Sequence, residues 1–576
     1  MDFIPNDALT TGWNTVYLFT GGVVILWALQ SSVQKLVSLH RAFKIVEGVP
    51  GGELVWFHPF RSSAPVLAPY FPPQGRIGNY YSHYQAYKKY GSTVLGSVKF
   101  WGAVPTFWVS DPEGLKTISN NRTVFRRDVE GYEVVSVYGP NMVATEGEAW
   151  KRYRTVAKPA FNEANNALVW HHATRIVNEW FEDLNKQLRG GKSVQVDLLK
   201  DCTELTLLII SSAAFGKHNG WSDHSGDDSG HRLPFRPAVT TAVKNLVPKV
   251  LTPNWLFALA EYLPLPKIIK ETADSFVFLR LHMLDIINSA REWVAGGHED
   301  NSLDAALLQN LVKANLAQLE QEETKELLKR RLTDQEVLSN AFMFLLAGHE
   351  TSAHSLCFTL CLLALYPEVQ EKMYQETKRL WPNLSDIPNG DTVGASKFKD
   401  DMANLEYVTA VFRESLRIFP PVPRVASPVK TDAKLTSRRF HEDSRGNMQS
   451  TTSEVNVPAG SLAVIDIIAL HMNPLCWGKD AEEFRPERFV DTPTYTWPRD
   501  AFLAFSAGPR ACMGERFAYA ESVCSLAHIA RRYKLSVPEH LVGKPFAEQK
   551  RILLQWAPTL TLVPHNASVC FSPRND

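Results

Sequence analysis

The 576-residue chain carries only seven cysteines, an odd number, scattered and without a Cys-x-x-Cys pair. That excludes a disulfide framework, which leaves a reducing compartment as the simpler assumption for the main body. An excess of charge of one sign is also missing. The 61 basic and 61 acidic residues cancel and no block of like charge stands out, so the electrostatic footprint of a nucleic-acid binder is absent. No internal repeat and no long low-complexity break divides the chain, which favours one large domain with an N-terminal appendage. What is present is an ordinary globular composition, 45% hydrophobic and 21% charged, sufficient for a large core.

One run lacks charge altogether. Residues 13–29 are close to the ~17-residue lower limit for a membrane-spanning helix. Asp2 and Asp7 precede the run and Lys35, Arg41 and Lys44 follow it, which puts the following chain on the cytoplasmic side. A cleaved signal peptide is the competing reading, but its basic leading region is missing and no small-residue cleavage site is clear. Pro50, Pro59, Pro65, Pro69, Pro72 and Pro73 then fall among glycines and serines, a composition that holds chain extended. The expected division is a lumenal N-terminus (1–12), a transmembrane anchor (13–31), a proline-rich linker (32–75) and the main domain (76–576). Within that domain the pattern is mostly helical, with strand-like pieces at 93–109, 461–468 and 551–563, predicting a mainly α body with a small β-sheet region. The polar segments 221–234 and 433–456 read as surface loops.

The most informative stretch is Phe505-Ser-Ala-Gly508-Pro-Arg510-Ala-Cys512-Met-Gly514, just ahead of a helical run. Its thiolate suits the one protein bond to a haem iron, and a following helix offers N–H groups to the anion. Gly508 and Gly514 admit close backbone approach, Arg510 can pair with a haem propionate, and Phe505 can shield the sulfur.

A second constellation lies in residues 340–365, apolar nearly all round and so expected in the core. Thr333-Asp-Gln-Glu336 before it has capping-box spacing, and Tyr366-Pro367 ends it. Inside stand Ala347-Gly348-His349-Glu350-Thr351-Ser352, with Ala347 and Thr351 on one face and a glycine between them that lets something approach or lets the helix open. A threonine bonded back to its own helix is the bland alternative. His349 and His354 resemble a His-Glu-x-x-His zinc motif but are one residue too far apart, so their imidazoles point about 140° apart and that reading fails. Trp150 and Arg154 share a face at i, i+4, both donors suited to a propionate. Arg424 is either a further propionate partner or a surface charge. Lys151, Arg152 and Lys158 form either a basic docking face or ordinary solvated charge. Glu414 and Arg417, three apart, read alone as a solvated pair.

Taken in order, Trp150/Arg154, the Thr351 helix, Glu414/Arg417, Phe484-Arg-Pro486-Glu-Arg488-Phe489 and the Cys512 loop resemble the cytochrome P450 family over essentially everything after the linker. The resemblance implies the P450 fold, with haem between the long central helix and the Cys512 loop. It implies Cys512 as axial iron ligand and Glu350 and Thr351 as the acid–alcohol pair for proton delivery. Around the cofactor it sets Trp150, Arg154, Arg510, Arg424, Phe505, Gly508, Gly514, Ala347 and Gly348, while Glu414, Arg417 and Arg488 become a structural network. It further implies haem b, electrons from NADPH through NADPH–cytochrome P450 reductase, with cytochrome b5 a further candidate partner, and a single-pass endoplasmic reticulum enzyme with its catalytic domain in the cytoplasm. Loop style is closest to fungal enzymes.

Candidate pocket segments 134–143, 246–265, 342–347, 422–426 and 556–559 are apolar, with only Lys249, Glu261 and Arg424 charged. They suit a bulky lipophilic substrate, a terpenoid or triterpenoid first and a fatty acid, alkane or aromatic xenobiotic second. The patch around Trp255 is either bilayer-facing or packed core. A haem-thiolate isomerase or dehydratase and a haem sensor are the readings from other classes, and neither has use for Glu350 beside Thr351.

Overall fold

In the computed structural model the described residues are 6–56, 77–188, 190–222, 232–260, 262–296, 306–320, 331–390, 395–445 and 448–574. The elements that position the site are, in chain order, α1 (Asn6–Val46), β1 (Gly51–Val55), β2 (Val94–Lys99), β3 (Val104–Val109), α2 (Pro112–Asn120), α3 (Gly147–Ala157), α4 (Glu163–Leu188), β4 (Val194–Asp197), α5 (Leu198–Phe215) and α6 (Lys267–Ala295). They continue with α7 (Asp334–Leu365), α8 (Glu406–Ile418), β5 (Arg424–Pro428), β6 (Ala433–Glu442), β7 (Met448–Val457), β8 (Leu462–Asp466), α9 (Glu515–Arg532), β9 (Tyr533–Ser536), β10 (Gln555–Pro558), β11 (Leu562–His565) and β12 (Ser568–Pro573). The body is mainly helical, as expected.

The largest sheet runs β1-β2-β3-β8-β5, with β1 parallel to β2 and β3 parallel to β8, the other two pairs antiparallel. Its middle is covered on both faces: Val94, Leu95, Val98, Phe107 and Trp108 are buried, which is why these strands read as continuous apolar runs. The Trp108 indole, the polar exception, donates to Ser97 Oγ at 2.8 Å. Of the expected strand region 551–563, the first residues finish a short helix and the rest forms the β10–β11 hairpin.

Two expectations are corrected. The N-terminal helix does not stop near residue 31 but continues to Val46, and part of the supposed linker is structured. Ala42 and Val46, i and i+4 on one face, are buried against β2, where the absence of a side chain at Gly96 lets Val46 Cβ approach a would-be Cβ position to 3.1 Å. Lys35 donates to the Phe100 carbonyl, and β1 then pairs with β2. The proline-rich stretch 57–76 lies outside the described residues. Segment 433–456 is not a loop but two ten-residue strands paired from Ala433↔Val457 to Glu442↔Met448. It reads as polar because much of the ribbon faces water while the ladder satisfies its backbone; only positions such as Leu435, Ser437 and Val457 turn inward. Of segment 221–234, residues 223–231 lie outside the described residues.

Helix α7 forms the centre. Thr333 Oγ1 accepts from Glu336 N–H at 3.3 Å and the Glu336 carboxylate accepts from Thr333 N–H at 2.8 Å, the capping box expected from the sequence. Beside it, Glu414 is fully buried and grips Arg417 with both oxygens at 2.7 and 2.8 Å, while Arg488 Nε stands 3.5 Å from the same carboxylate. Arg417 also donates to the carbonyls of His471 and Ala481, both at 2.6 Å. The network reading of this pair therefore holds and the solvated one does not. Replacing Glu414 by alanine leaves the buried Arg417 guanidinium without its carboxylate, while Arg488 keeps Asp480 at 2.8 Å, a loss of about 3–5 kcal/mol. That is a large part of a typical margin of ~5–15 kcal/mol. Urea unfolding of E414A shows a strongly lowered midpoint, whereas truncating the exposed Lys434, paired with Glu454, leaves it unchanged.

Candidate functional site

Past its exposed first turn, α7 is buried except where it opens to solvent within residues 344–351. Ala347 is exposed, and Phe344, Gly348, Glu350 and Thr351 are partly so, while residues 352–365 are buried. Such an opening in a central helix marks a wall of internal space. Thr351 Oγ1 donates to the Ala347 carbonyl at 2.7 Å, Ser355 to Thr351 at 2.7 Å and Thr359 to Ser355 at 2.7 Å, a ladder of hydroxyls down one face. What approaches Gly348 is α5: a Cβ there would come 2.2 Å from Ile210 Cδ1, and Thr206, one turn before Ile210, donates to the His349 carbonyl at 2.9 Å. Burial raises the Glu350 carboxyl to about 7, against the opposing pull of the Thr561 hydroxyl at 3.4 Å. His349 turns its Nδ1 to the Leu345 carbonyl at 2.9 Å and His354 its Nδ1 to Thr561 at 3.0 Å, so the two imidazoles share no target.

The Cys512 loop is a tight knot. Residues Gly508–Arg510 make a 3-10 turn, Ala511 N–H donates to the Gly508 carbonyl at 3.0 Å, and Cys512 N–H donates to Phe505 at 2.9 Å. Gly508 has φ +69°, and a Cβ there would meet the Ser119 carbonyl at 2.8 Å, so the end of α2 demands glycine. A Cβ at Gly514 would stand 3.9 Å from Cys512 Sγ, an ordinary contact. Cys512 is exposed to solvent although protein surrounds its sulfur. Burial pushes the free thiol up, and the Gly514 amide and Arg154 pull it back. Helix α9 starts three residues after Cys512 and packs against α7, with its Glu521 beside Ser352.

Trp150 is buried with three guanidiniums around its ring: Arg122 at 3.8 Å, Arg510 at 4.3 Å and Arg154 at 5.9 Å. Arg510 donates to the carbonyls of Met142 and Thr145 at 2.9 and 2.5 Å, and Arg154 to Ala511 at 3.3 Å. Among the described residues one carboxylate answers this charge. Glu146 bonds both Arg122 and Arg510, which hold it below the usual range despite its burial. Burial lowers Arg510 to about 10, so it stays cationic at neutral pH, and its Nε has no protein partner. Three cations against one anion, one of them with a spare buried donor, fit an acidic cofactor edge such as a pair of propionates.

Arg424 is not a surface charge. It is buried against Asp466 at 3.4 Å, donates to Gly78 and Asn79 at 2.8 and 3.3 Å and stacks on Tyr80, and no contact among the described residues joins it to the Trp150 cluster. Arg152 turns inward to Glu336 and the Arg331 carbonyl, which leaves Lys151 and Lys158 as the exposed part of the expected basic face. Arg122, Glu146 and Thr561 were invisible to sequence reasoning, since none stands in a spaced motif. An open cleft of about 550 Å³ beside Tyr81, Trp556 and His565 holds none of the motif residues.

The family model described as Cytochrome P450 matches residues 69–563. Cytochrome P450 monooxygenase 124 of Postia placenta is 34% identical over 509 residues, covering 88% of this chain and 90% of that protein. A cytochrome P450 monooxygenase of Arthrobotrys oligospora is 25% identical over 465 residues, covering 75% of each. A crystal structure of a cytochrome P450, CYP102L1, aligns with a TM-score of 0.64 at 23% identity, covering 86% of this chain and 99% of that one, a likeness of fold.

The Gly348 contact makes a prediction. Overpacking costs about 1–3 kcal/mol, and the gain in helix propensity from glycine to alanine returns roughly 1 kcal/mol. Gly348→Ala therefore lowers the thermal midpoint in the native background. In an Ile210→Val background, where the clashing Cδ1 is gone, the same change raises it.

Proposed function

The chain belongs to the cytochrome P450 family, and from that premise we propose a membrane-anchored haem-thiolate monooxygenase that inserts one oxygen atom from O2 into a terpenoid or triterpenoid, in fungal secondary metabolism. Relatives named monooxygenases make the chain an oxidoreductase of that kind, dependent on haem iron and on electrons from a redox partner. The proposal adds haem b, NADPH–cytochrome P450 reductase as that partner and an endoplasmic reticulum location. One observation carries the reading: an exposed cysteine in the tight loop ahead of α9, a helix that packs against α7, whose residues 344–351 include an exposed Ala347.

Cys512 would supply the axial thiolate, and Arg154 and Arg510, with Trp150 packed between them, would hold the propionates. Haem bound there supplies reductive activation of dioxygen. The chain's own part is to hold and move protons. Glu350 keeps a proton below about pH 7 and gives it up above, and Thr351, the next residue, presents a hydroxyl on the open face.

Substrate class is supported by where the charges go. Lys249 lies over the Phe257 ring at 4.2 Å and donates to Asn254 at 3.4 Å, Arg424 is closed by Asp466, and Glu261 lies outside the described residues. Neither described cation is left free to grip an acid. Val250, Leu251, Trp255, Tyr262, Leu263 and Ile268 are exposed, with Trp255 at 64%, so this patch is not packed core and suits a lipid surface that delivers lipophilic molecules. The exposed stretch of α1 from Val23 to Val33, within the apolar span Gly22–Val46, suits the same membrane.

Two outcomes follow. Cys512→Ala loses the thiolate signature of the reduced, carbon-monoxide-bound spectrum, and its retention would remove Cys512 as ligand. Across a panel of triterpenoids, sesquiterpenoids, fatty acids and simple arenes, the large terpenoids give the tightest spectral binding, since apolar burial contributes roughly 25 cal/mol per Å². Tighter binding of a fatty acid or a single-ring arene transfers the reading to a fatty-acid or xenobiotic hydroxylase.

A further inference from the structure

Glu350 and His354 stand one turn apart on α7, so their side chains leave the same face. Both meet one hydroxyl: Thr561 Oγ1 donates to Glu350 Oε1 across 3.4 Å and lies 3.0 Å from His354 Nδ1. Thr561 sits in the turn 559–561 between β10 and β11, far away in the chain, and is 3% exposed. Its carbonyl accepts from Thr559 N–H at 2.8 Å, and Leu562 N–H beside it donates to the Pro421 carbonyl at 3.1 Å. The hydroxyl is therefore held from the backbone side and cannot follow the acid if the acid moves.

A threonine hydroxyl has one proton to give and lone pairs to receive with. Given to Glu350, it leaves Oγ1 to accept from His354, which then carries its own proton on Nδ1. His354 brings direction and no charge, because burial, reinforced by the neighbouring His349, lowers it to about 4. His349 is itself buried, lowered by that burial, and turned to Leu345. Among the described residues the acid thus meets a single oriented donor at Oε1 and no adjacent cation. When Glu350 passes its proton to a water on the open face, its O–H bond breaking as the water gains the proton, the carboxylate left behind is met by the Thr561 O–H.

We propose that Thr561 is a positioning residue for Glu350: its hydroxyl, oriented by His354, sets where the acid points and how readily it releases its proton. The inference rests on the reading of Glu350 as the proton-delivering acid, and it puts one end of that acid's control on the β10–β11 hairpin, next to the pocket segment 556–559.

The test uses the haem-loaded protein with its reductase, in native form and as Thr561→Val, Thr561→Ser and Glu350→Gln. Product formed per NADPH is measured against pH, and the protonated-carboxyl infrared band of Glu350 is titrated as a difference against E350Q. Removing the hydroxyl removes a hydrogen bond to the charged form, so in T561V the band persists to a pH higher by about one unit. Coupling falls several-fold with the carbon-monoxide spectrum unchanged, and T561S restores both. An unmoved band in T561V overturns the proposal. Coupling unchanged in E350Q instead removes the acid role while the infrared titration still decides the contact. Where T561V fails to fold, Thr561→Ala reads the same band with the same two outcomes.

Discussion

Glu414 has no exposed surface and is held between two guanidiniums. Charges that far from water persist only with partners on nearly every atom, and here they are Arg417 on the same helix and Arg485 N–H and Arg488 from the segment leading to the cysteine loop. Arg417 bonds the His471 carbonyl, His471 Nδ1 donates to the Arg417 carbonyl at 3.0 Å, and His471 Nε2 accepts from Leu503 N–H at 2.8 Å. The ring must be neutral to donate on one side and accept on the other, and burial lowers it to about 3. Two residues after Leu503, the Phe505 carbonyl accepts the Cys512 N–H. A buried carboxylate on α8 is thus linked, bond by bond, to the position of the one open sulfur.

Helix α7 meets the opposite demand. It is apolar enough to fill the core and yet carries Glu350 and Thr351 at its partly exposed stretch. The conflict is resolved by returning hydroxyls to the helix itself: Thr351, Ser355 and Thr359 each satisfy their proton on the carbonyl four residues back, so a row of polar atoms runs through the interior without outside partners. The bland and the functional readings of Thr351 are therefore compatible. A hydroxyl parked on Ala347 beside an open face costs little to hold and is free to turn.

Much of this was legible because it is local. The capping box at Thr333 and Glu336, the end at Tyr366-Pro367, the strands at 94–99 and 104–109, and the Cys512 turn each follow from residues within a few positions of one another. The polar hairpin at 433–457 was misread because a two-sided ribbon with much of its surface in water has the composition of a loop. The continuation of α1 past residue 31 was missed because the reason for it, the pleat at Gly96, lies fifty residues away.

The amino-acid sequence by itself marked the groups to which the proposed chemistry is assigned: one thiol in a glycine-bounded loop and one acid–alcohol pair on a core helix, with a Glu414–Arg417 pair set apart from both. Such choices are written in spacing, and spacing survives without coordinates. Only the tertiary structure decided how those groups are electrically placed. That Arg424 spends its charge on Asp466, that Arg122 joins Trp150, and that Thr561 bonds Glu350 all depend on contacts between segments with no spacing relation. Desolvation and a single distant hydroxyl, quantities that exist only once the chain has closed around them, set the proton affinity of the acid.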